Sequence, residues 1–133
     1  MTNAAQLQKL IVVEDDPDIQ IIIEMALVEI GGFEVQICGD ANQLYSALEG
    51  SEKPDLILLD VMLPDKDGPT IIAELANDDR YKDIPVIFAT ARVRQADLLK
   101  YNELGAIGTL SKPYDIGNLC DQITEIWNKA RDL

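Results

Sequence analysis

Five short apolar runs alternate with five amphipathic stretches along this chain, and that alternation limits the possible folds more than any other feature. Leu10-Ile11-Val12-Val13 is apolar at every position. It is too short for a helix, and the lack of polar alternation marks a strand covered on both faces. Asp16 then offers a helix cap and Pro17 a first-turn residue, predicting a helix that closes at Gly31-Gly32. Glu34 to Cys38 reads as a second strand, and Asp40-Ala41-Asn42-Gln43 as a capping box for a helix reaching Gly50. A third strand spans Asp55 to Asp60, with a helix over Gly68 to Asn77 behind it. A fourth spans Pro85 to Ala89, and its helix runs from Arg94 to Leu104 with Gly105 as the stop. Ala106 to Leu110 is the last strand. Asp115 is expected to cap a final helix that turns Ile116, Leu119, Cys120, Ile123 and Trp127 inward. Strict strand–helix alternation predicts an α/β fold, a doubly wound five-stranded parallel sheet with helices on both faces. No linker or repeat interrupts it, so residues 1–133 read as one domain.

Charge narrows the chemistry. Lys and Arg total 11 against 24 Asp and Glu, a net charge of −13, and there is no histidine. Such a surface repels nucleic acid and anionic lipid, so direct nucleic-acid binding is not expected. Without histidine, carboxylates, hydroxyls and lysines must carry whatever chemistry occurs. No apolar run approaches the roughly 18 residues of a membrane span, and no basic region precedes an apolar stretch at the N-terminus. A cytoplasmic protein without membrane insertion is expected, with Cys38 and Cys120 as reduced thiols.

In doubly wound sheets the functional residues lie at the carboxyl ends of the strands. Glu14, Asp15 and Asp16 stand at the end of the first predicted strand, Asp60 at the third, Thr90 after the fourth and Lys112 after the fifth. The first and third strands are neighbours in such a sheet, so Glu14, Asp15 and Asp60 should converge. Two carboxylates ~4 Å apart at an effective dielectric of ~20 repel by about 4 kcal/mol. Lys112 supplies one counter-charge, and a divalent cation with hard oxygen ligands, for which Mg²⁺ is suited, would supply the rest.

Four motifs resemble the response regulator receiver family: Val12-Val13-Glu14-Asp15-Asp16-Pro17, Leu58 to Gly68, Ala89-Thr90-Ala91 and Ser111-Lys112-Pro113. Thr90 lies 30 residues after Asp60 and Lys112 lies 52 after it, as in that family. The resemblance covers nearly the whole chain and implies the flavodoxin-like strand order 2-1-3-4-5. It also implies that Asp60 accepts a phosphoryl group from a histidine kinase or histidine phosphotransfer protein. On the same footing Asp15, Asp60 and the Met62 backbone carbonyl would bind Mg²⁺, with Glu14 acting partly through water. Lys112 would pair with the phosphoryl oxygens, Thr90 would donate its hydroxyl to them, and Lys112-Pro113 would be a cis peptide. The chain would then be a phosphoacceptor switch, not a turnover enzyme, signalling to a downstream protein through its helix 4, strand 5 and helix 5 face.

Two other classes compete. Asp16-Pro17-Asp18-Ile19 imitates the Asp-x-Asp motif of Mg²⁺-dependent phosphatases, and the topology suits a flavodoxin-like cofactor binder. The acids after the first strand would repel a cofactor phosphate, which disfavours the second. Asp16 reads more simply as a helix cap, and Asp65 and Asp67 as turn formers around a Gly68 of positive φ. Many receivers of DNA-binding proteins carry Tyr or Phe three residues before the lysine, where this chain has Thr109. Its Gly117-Asn118-Leu119-Cys120-Asp121 segment also lacks a basic residue used there for dimer contacts. A stand-alone or relay receiver, with a relay from Thr90 that needs no aromatic switch, is therefore expected. In the first helix Ile19, Ile22, Ile23, Ala26, Leu27 and Ile30 can form the buried stripe, leaving Ile21, Met25 and Val28 on other faces. Met62 and Arg92, each two residues beyond a site residue, are expected at the mouth of the site.

Overall fold

Apolar runs at the five expected places pair into one sheet in a computed structural model that describes residues 6–50, 52–91 and 94–131. The strands are β1 (Lys9–Val13), β2 (Glu34–Cys38), β3 (Leu56–Asp60), β4 (Val86–Thr90) and β5 (Gly108–Ser111). They lie in the order β2-β1-β3-β4-β5, and every neighbouring pair is parallel. The helices are α1 (Pro17–Ile23, continued as a π-helix over Glu24–Ile30), α2 (Ala41–Gly50), α3 (Gly68–Ala76), α4 (Gln95–Glu103) and α5 (Leu119–Arg131).

Side-chain alternation along the central strands feeds two cores. Ile11, Ile57 and Phe88 pack with Leu44 of α2, Ile71 of α3 and Tyr101 of α4. Leu10, Leu58 and Ile87 pack on the other face with Ile23 and Leu27 of the first helix and Ile123 and Trp127 of α5. β3 and β4 are buried along their whole length, which is why their sequences lack polar alternation.

The first helix departs from its expected stripe. Ala26 and Leu27 are buried, but Ile30 is 65% exposed. The cause is the wider π turn, in which the Gly31 N–H donates to the Ala26 carbonyl five residues back at 3.1 Å. More residues per turn rotate Ile30 off a stripe spaced for 3.6. At the other end of the chain the last helix starts at Leu119, later than a cap at Asp115 implies. The Asp115 carboxylate accepts instead from the Gly117 N–H at 3.0 Å and from Asn118 Nδ2 at 2.7 Å, holding a turn ahead of the helix. β5 likewise begins at Gly108, not at Ala106.

Two residues of the β3–α3 connection have roles other than those expected. Among the described residues, positive φ occurs only at Gly32 and Gly105. Gly68 is needed for space: a Cβ there would lie 2.9 Å from Phe88 Cε1 and 3.0 Å from Val61 Cα. Its N–H donates to the Val61 carbonyl at 2.7 Å, so α3 starts hard against the end of β3. Asp67 caps α3 through the Thr70 N–H at 2.8 Å. Asp65 reaches across to α2 and caps it, accepting from the Ala41 N–H at 3.0 Å and the Asn42 N–H at 3.1 Å.

Two outcomes follow from this connection. Gly68→Ala should lower stability by about 1–3 kcal/mol, since neither the Phe88 ring nor the Val61 backbone can retreat freely. Gly50→Ala, whose Cβ meets nothing within 4 Å, should leave stability unchanged or slightly raised. Urea midpoints of the two variants check this pair. The Asp65 carboxyl is held below its usual range, first by the Ala41 N–H and also by the Asn42 N–H. A depressed folded pKa stabilises above the unfolded value of about 3.9 and loses that effect as pH falls through the folded value. Asp65→Ala should therefore destabilise at pH 7, and its deficit relative to wild type should shrink in acid. A deficit equal at both pH values would show that the Asp65 charge contributes nothing.

Candidate functional site

Register brings the reactive residues together at the carboxyl edge of the sheet. Val13 of β1 is level with Leu59 of β3, so Glu14 follows beside Asp60. The Glu14 N–H donates to the Cys38 carbonyl at 2.9 Å, carrying the β1–β2 ladder one rung further. The Val61 N–H donates to the Ala89 carbonyl at 3.0 Å, and the Lys112 N–H to the Thr90 carbonyl at 2.9 Å. Backbone bonds thus set the spacing of Glu14, Asp60, Thr90 and Lys112 before any side-chain contact is made. The Lys112–Pro113 peptide is cis, as expected.

Lys112 is the hub of the side-chain contacts. Its Nζ lies 2.8 Å from Asp60 Oδ2 and 3.0 Å from Glu14 Oε1. Asp60 Oδ1 accepts from the Met62 N–H at 3.1 Å, and Glu14 Oε2 from the Asp16 N–H at 3.1 Å. Glu14 is 1% exposed and Asp60 5%, so these contacts operate away from bulk water. Burial pushes the Glu14 carboxyl up, and the bonds from Asp16 and Lys112 offset only part of that rise. For Lys112 burial favours the neutral amine, yet hydrogen bonds to Asp60 and Glu14 outweigh it and the ammonium is held more firmly than usual.

Asp15, which is exposed, completes an acidic group. One carboxylate oxygen from each of Glu14, Asp15 and Asp60 lies within 4.8 Å of the others. Lys112 balances only one of the three charges. An ionised carboxylate offers about four lone-pair sites, so Asp60 retains acceptor capacity beyond its bonds to Lys112 and Met62. The donor set is therefore hard oxygen with an unmet negative charge, which fits a divalent cation. The cavity in front of it, about 370 Å³, is lined by Glu14, Asp15, Asp60, Thr90 and Lys112, with the Met62 side chain 79% exposed at its rim.

Other sequence expectations fare unevenly. Asp16 is the N-cap of α1, its carboxylate accepting from the Asp18 N–H at 2.9 Å, so that carboxylate serves the helix. Arg92 lies outside the described residues. Gln20 was not anticipated; its Nε2 donates to the Glu14 carbonyl at 2.6 Å and steadies the turn after β1. Tyr114 was also missed, and burial together with the Glu14 and Asp60 charges pushes its phenol strongly up. The third addition is Tyr101 of α4, which lines the same cavity as Thr90 and packs edge-on against Phe88 of β4. The β5 strand lacks an aromatic at Thr109, as the sequence shows, but α4 brings one to the threonine. Helical spacing could mark Tyr101 as buried; nothing in the spacing shows that it borders the cavity.

Comparison with known proteins agrees with this geometry. The response regulator receiver domain matches residues 10–124. The DNA-binding dual master transcriptional regulator RpaA of Synechocystis sp. is 34% identical over 124 residues, covering 93% of this chain and 51% of the relative. The transcriptional regulatory protein KdpE of Staphylococcus aureus is 32% identical over 123 residues, covering 92% and 51%. The chain spans about half the length of these relatives, which belong to the transcription regulators from which Thr109 seemed to set it apart. In fold it matches the chemotaxis response regulator CheY4 of Vibrio cholerae with a TM-score of 0.82, at 21% identity over 91% of this chain and 99% of that one. The Mn(2+)-bound form of response regulator Rcp1 matches with a TM-score of 0.74, at 28% identity over 90% and 91%. No finding supports a phosphatase or a flavin-type binder. With the family match running through all five strands and the acids, threonine and lysine gathered at one sheet edge, this chain belongs to the response regulator receiver domain family.

Proposed function

We propose that this domain takes a phosphoryl group onto Asp60 from a histidine kinase or histidine phosphotransfer protein, and that Mg²⁺ is the cation held beside it. The observation that carries this reading is the position of Asp60, an almost fully buried carboxylate open to an acidic cavity and held by Lys112 Nζ at 2.8 Å. A carboxylate oxygen of Asp60 attacks phosphorus, the bond from phosphorus to the donor nitrogen breaks, and an acyl phosphate forms. Such a transfer needs alignment and charge neutralisation more than acid–base groups, so a site without histidine is adequate.

Each neighbour has a part in that step. Lys112, already between Asp60 and Glu14, moves its hydrogen bonds onto the phosphoryl oxygens as charge develops there. Thr90, at the end of β4, donates its hydroxyl to another of them. Asp15, Asp60 and the Met62 carbonyl would hold the cation, with Glu14 acting partly through water. When bound, Mg²⁺ offsets the carboxylate charge that Lys112 leaves unbalanced. The Mn(2+)-bound relative supports a divalent ion in this type of site, and an all-oxygen donor set with no soft ligand favours Mg²⁺. The domain works as a switch on its own carboxylate, not as an enzyme turning over a separate substrate. Its output passes to a downstream protein through the α4, β5 and α5 face.

Incubation with acetyl phosphate and Mg²⁺ should add one phosphoryl group to the intact mass, and chelation should prevent it. Asp60→Asn should remove the label. Persistent labelling in that variant, or in chelator, would assign the chemistry elsewhere. The exposed Met62 offers water no useful hydrogen bond. Met62→Asn should then shorten the acyl phosphate lifetime by about 2- to 10-fold, the effect of one added hydrogen bond of roughly 0.5–1.5 kcal/mol to the attacking water. Loss of phosphate followed by mass over time checks this, and an unchanged or longer lifetime counts against it.

A further inference from the structure

Asp15 is the exposed member of the acidic group, and its place beside Glu14 and Asp60 is set through the backbone. Glu14 and Asp60 are buried, and their carboxylates are tied to Lys112. Asp15 stands instead between two peptide groups that side chains hold. The peptide before it offers the Glu14 carbonyl, which accepts from Gln20 Nε2 at 2.6 Å. The peptide after it offers the Asp16 N–H, which donates to Glu14 Oε2 at 3.1 Å. Local helix geometry explains why Gln20 can reach that carbonyl. Its own N–H donates to the Asp16 carbonyl at 3.0 Å, so it stands one helical turn in from the Asp16 cap. Side chains of a helix lean back toward its N-terminus, which brings the Gln20 amide to the turn ahead of α1. Only the nitrogen end of that amide can donate to a carbonyl oxygen, and this fixes its orientation.

We propose that Gln20 is a positioning residue for the divalent cation: by holding the Glu14–Asp15 peptide it keeps the Asp15 carboxylate in place beside Glu14 and Asp60. The inference rests on the receiver reading above, in which Asp15 is one of the residues that hold the cation. The backbone has two soft torsions at each residue, and pinning the peptides on both sides of Asp15 holds both of them. Only the torsions of its own short side chain are then left free. One carboxylate oxygen from each of Glu14, Asp15 and Asp60 lies within 4.8 Å of the others, a spacing that rotation of either peptide would spoil. A ligand group already in place costs less ordering when the cation arrives than one that must first be found. Groups that orient a ligand in this way raise metal affinity without touching the metal. Gln20 is half-buried, so its bond to the Glu14 carbonyl is partly shielded from competing water.

The test is a titration with Mn²⁺, the free ion being read by electron paramagnetic resonance, on the wild-type chain, Gln20→Met, Gln20→Asn, Asp15→Asn and Ile123→Val. Gln20→Met keeps the length and helix-forming character of the residue and removes the donor. Gln20→Asn keeps the amide but leaves it one methylene short of the carbonyl. Both should bind Mn²⁺ about 2- to 10-fold more weakly than wild type, the range of one neutral hydrogen bond. Asp15→Asn should weaken binding by more, because it removes a charged ligand group. Ile123→Val trims a buried core side chain of α5, so it should lower the urea midpoint and leave the affinity unchanged. Wild-type affinity in either Gln20 variant, or an equal loss in Ile123→Val, would overturn the proposal. Failure of the wild type to bind Mn²⁺, or wild-type affinity in Asp15→Asn, would instead overturn the cation reading on which it stands.

Discussion

The charge balance around Lys112 is the constraint on which the rest of the site depends. Parallel strands bring Glu14 and Asp60 side by side at one edge of the sheet, and both are buried there. Two carboxylates in that setting repel strongly, and burial penalises each of them further. The ammonium between them makes the arrangement tolerable, and its own burial is offset by the same two contacts. Such a pair adds little net stability compared with an apolar core, while loss of one partner strands a buried charge. Its value is chemical: Lys112 answers one negative charge and leaves an acidic group of oxygen donors short of positive charge, which fits a divalent cation.

Backbone geometry makes this placement reproducible. Lys112 is tied through its N–H to the Thr90 carbonyl, and Asp60 is followed by a bond from Val61 to Ala89. Four strands therefore deliver their end residues at fixed offsets, and no loop has to find its own conformation. The β3–α3 connection is fixed by the Asp65 cap on α2 and by the close approach at Gly68. Lys66 adds a contact of the same kind, its Nζ bonding Glu74 of α3 at 2.8 Å and lying 5.2 Å from the Tyr45 ring of α2. A loop anchored on both flanking helices can present Met62 beside the site without wandering.

Much of this was legible in the sequence, for reasons that differ by residue. The strands were readable because burial on both faces forces continuous apolar runs such as Leu56 to Leu59, and the site because strand ends carry the acids, Thr90 and Lys112. Periodicity failed at Ile30, because a π turn changes the number of residues per turn without leaving a mark in composition. Local turn rules failed at Gly68 and Asp65, because the first answers to the Phe88 ring and the second to the end of α2, both distant in sequence. Tyr101 escaped notice for the same reason: the ring it meets, Phe88, is on β4, outside the helix that carries it.

A switch also needs one part that yields more easily than its surroundings, and the distribution of burial shows which part that is. β3 and β4 are buried at every position, and α2 and α3 each bury four residues. α4 buries one. The free energy that holds a helix to a sheet scales with the apolar area it covers, so α4 is the least costly helix to displace. A phosphoryl group on Asp60, as proposed, would supply a few strong charge-assisted contacts, enough to move a weakly seated element but not a core. That weakly seated helix is the one whose single buried side chain, Tyr101, lines the same cavity as Thr90. The cavity at the sheet edge and the helix that buries least among the described residues thus meet at Tyr101, which gives a local event at the proposed site a path to the surface of the domain.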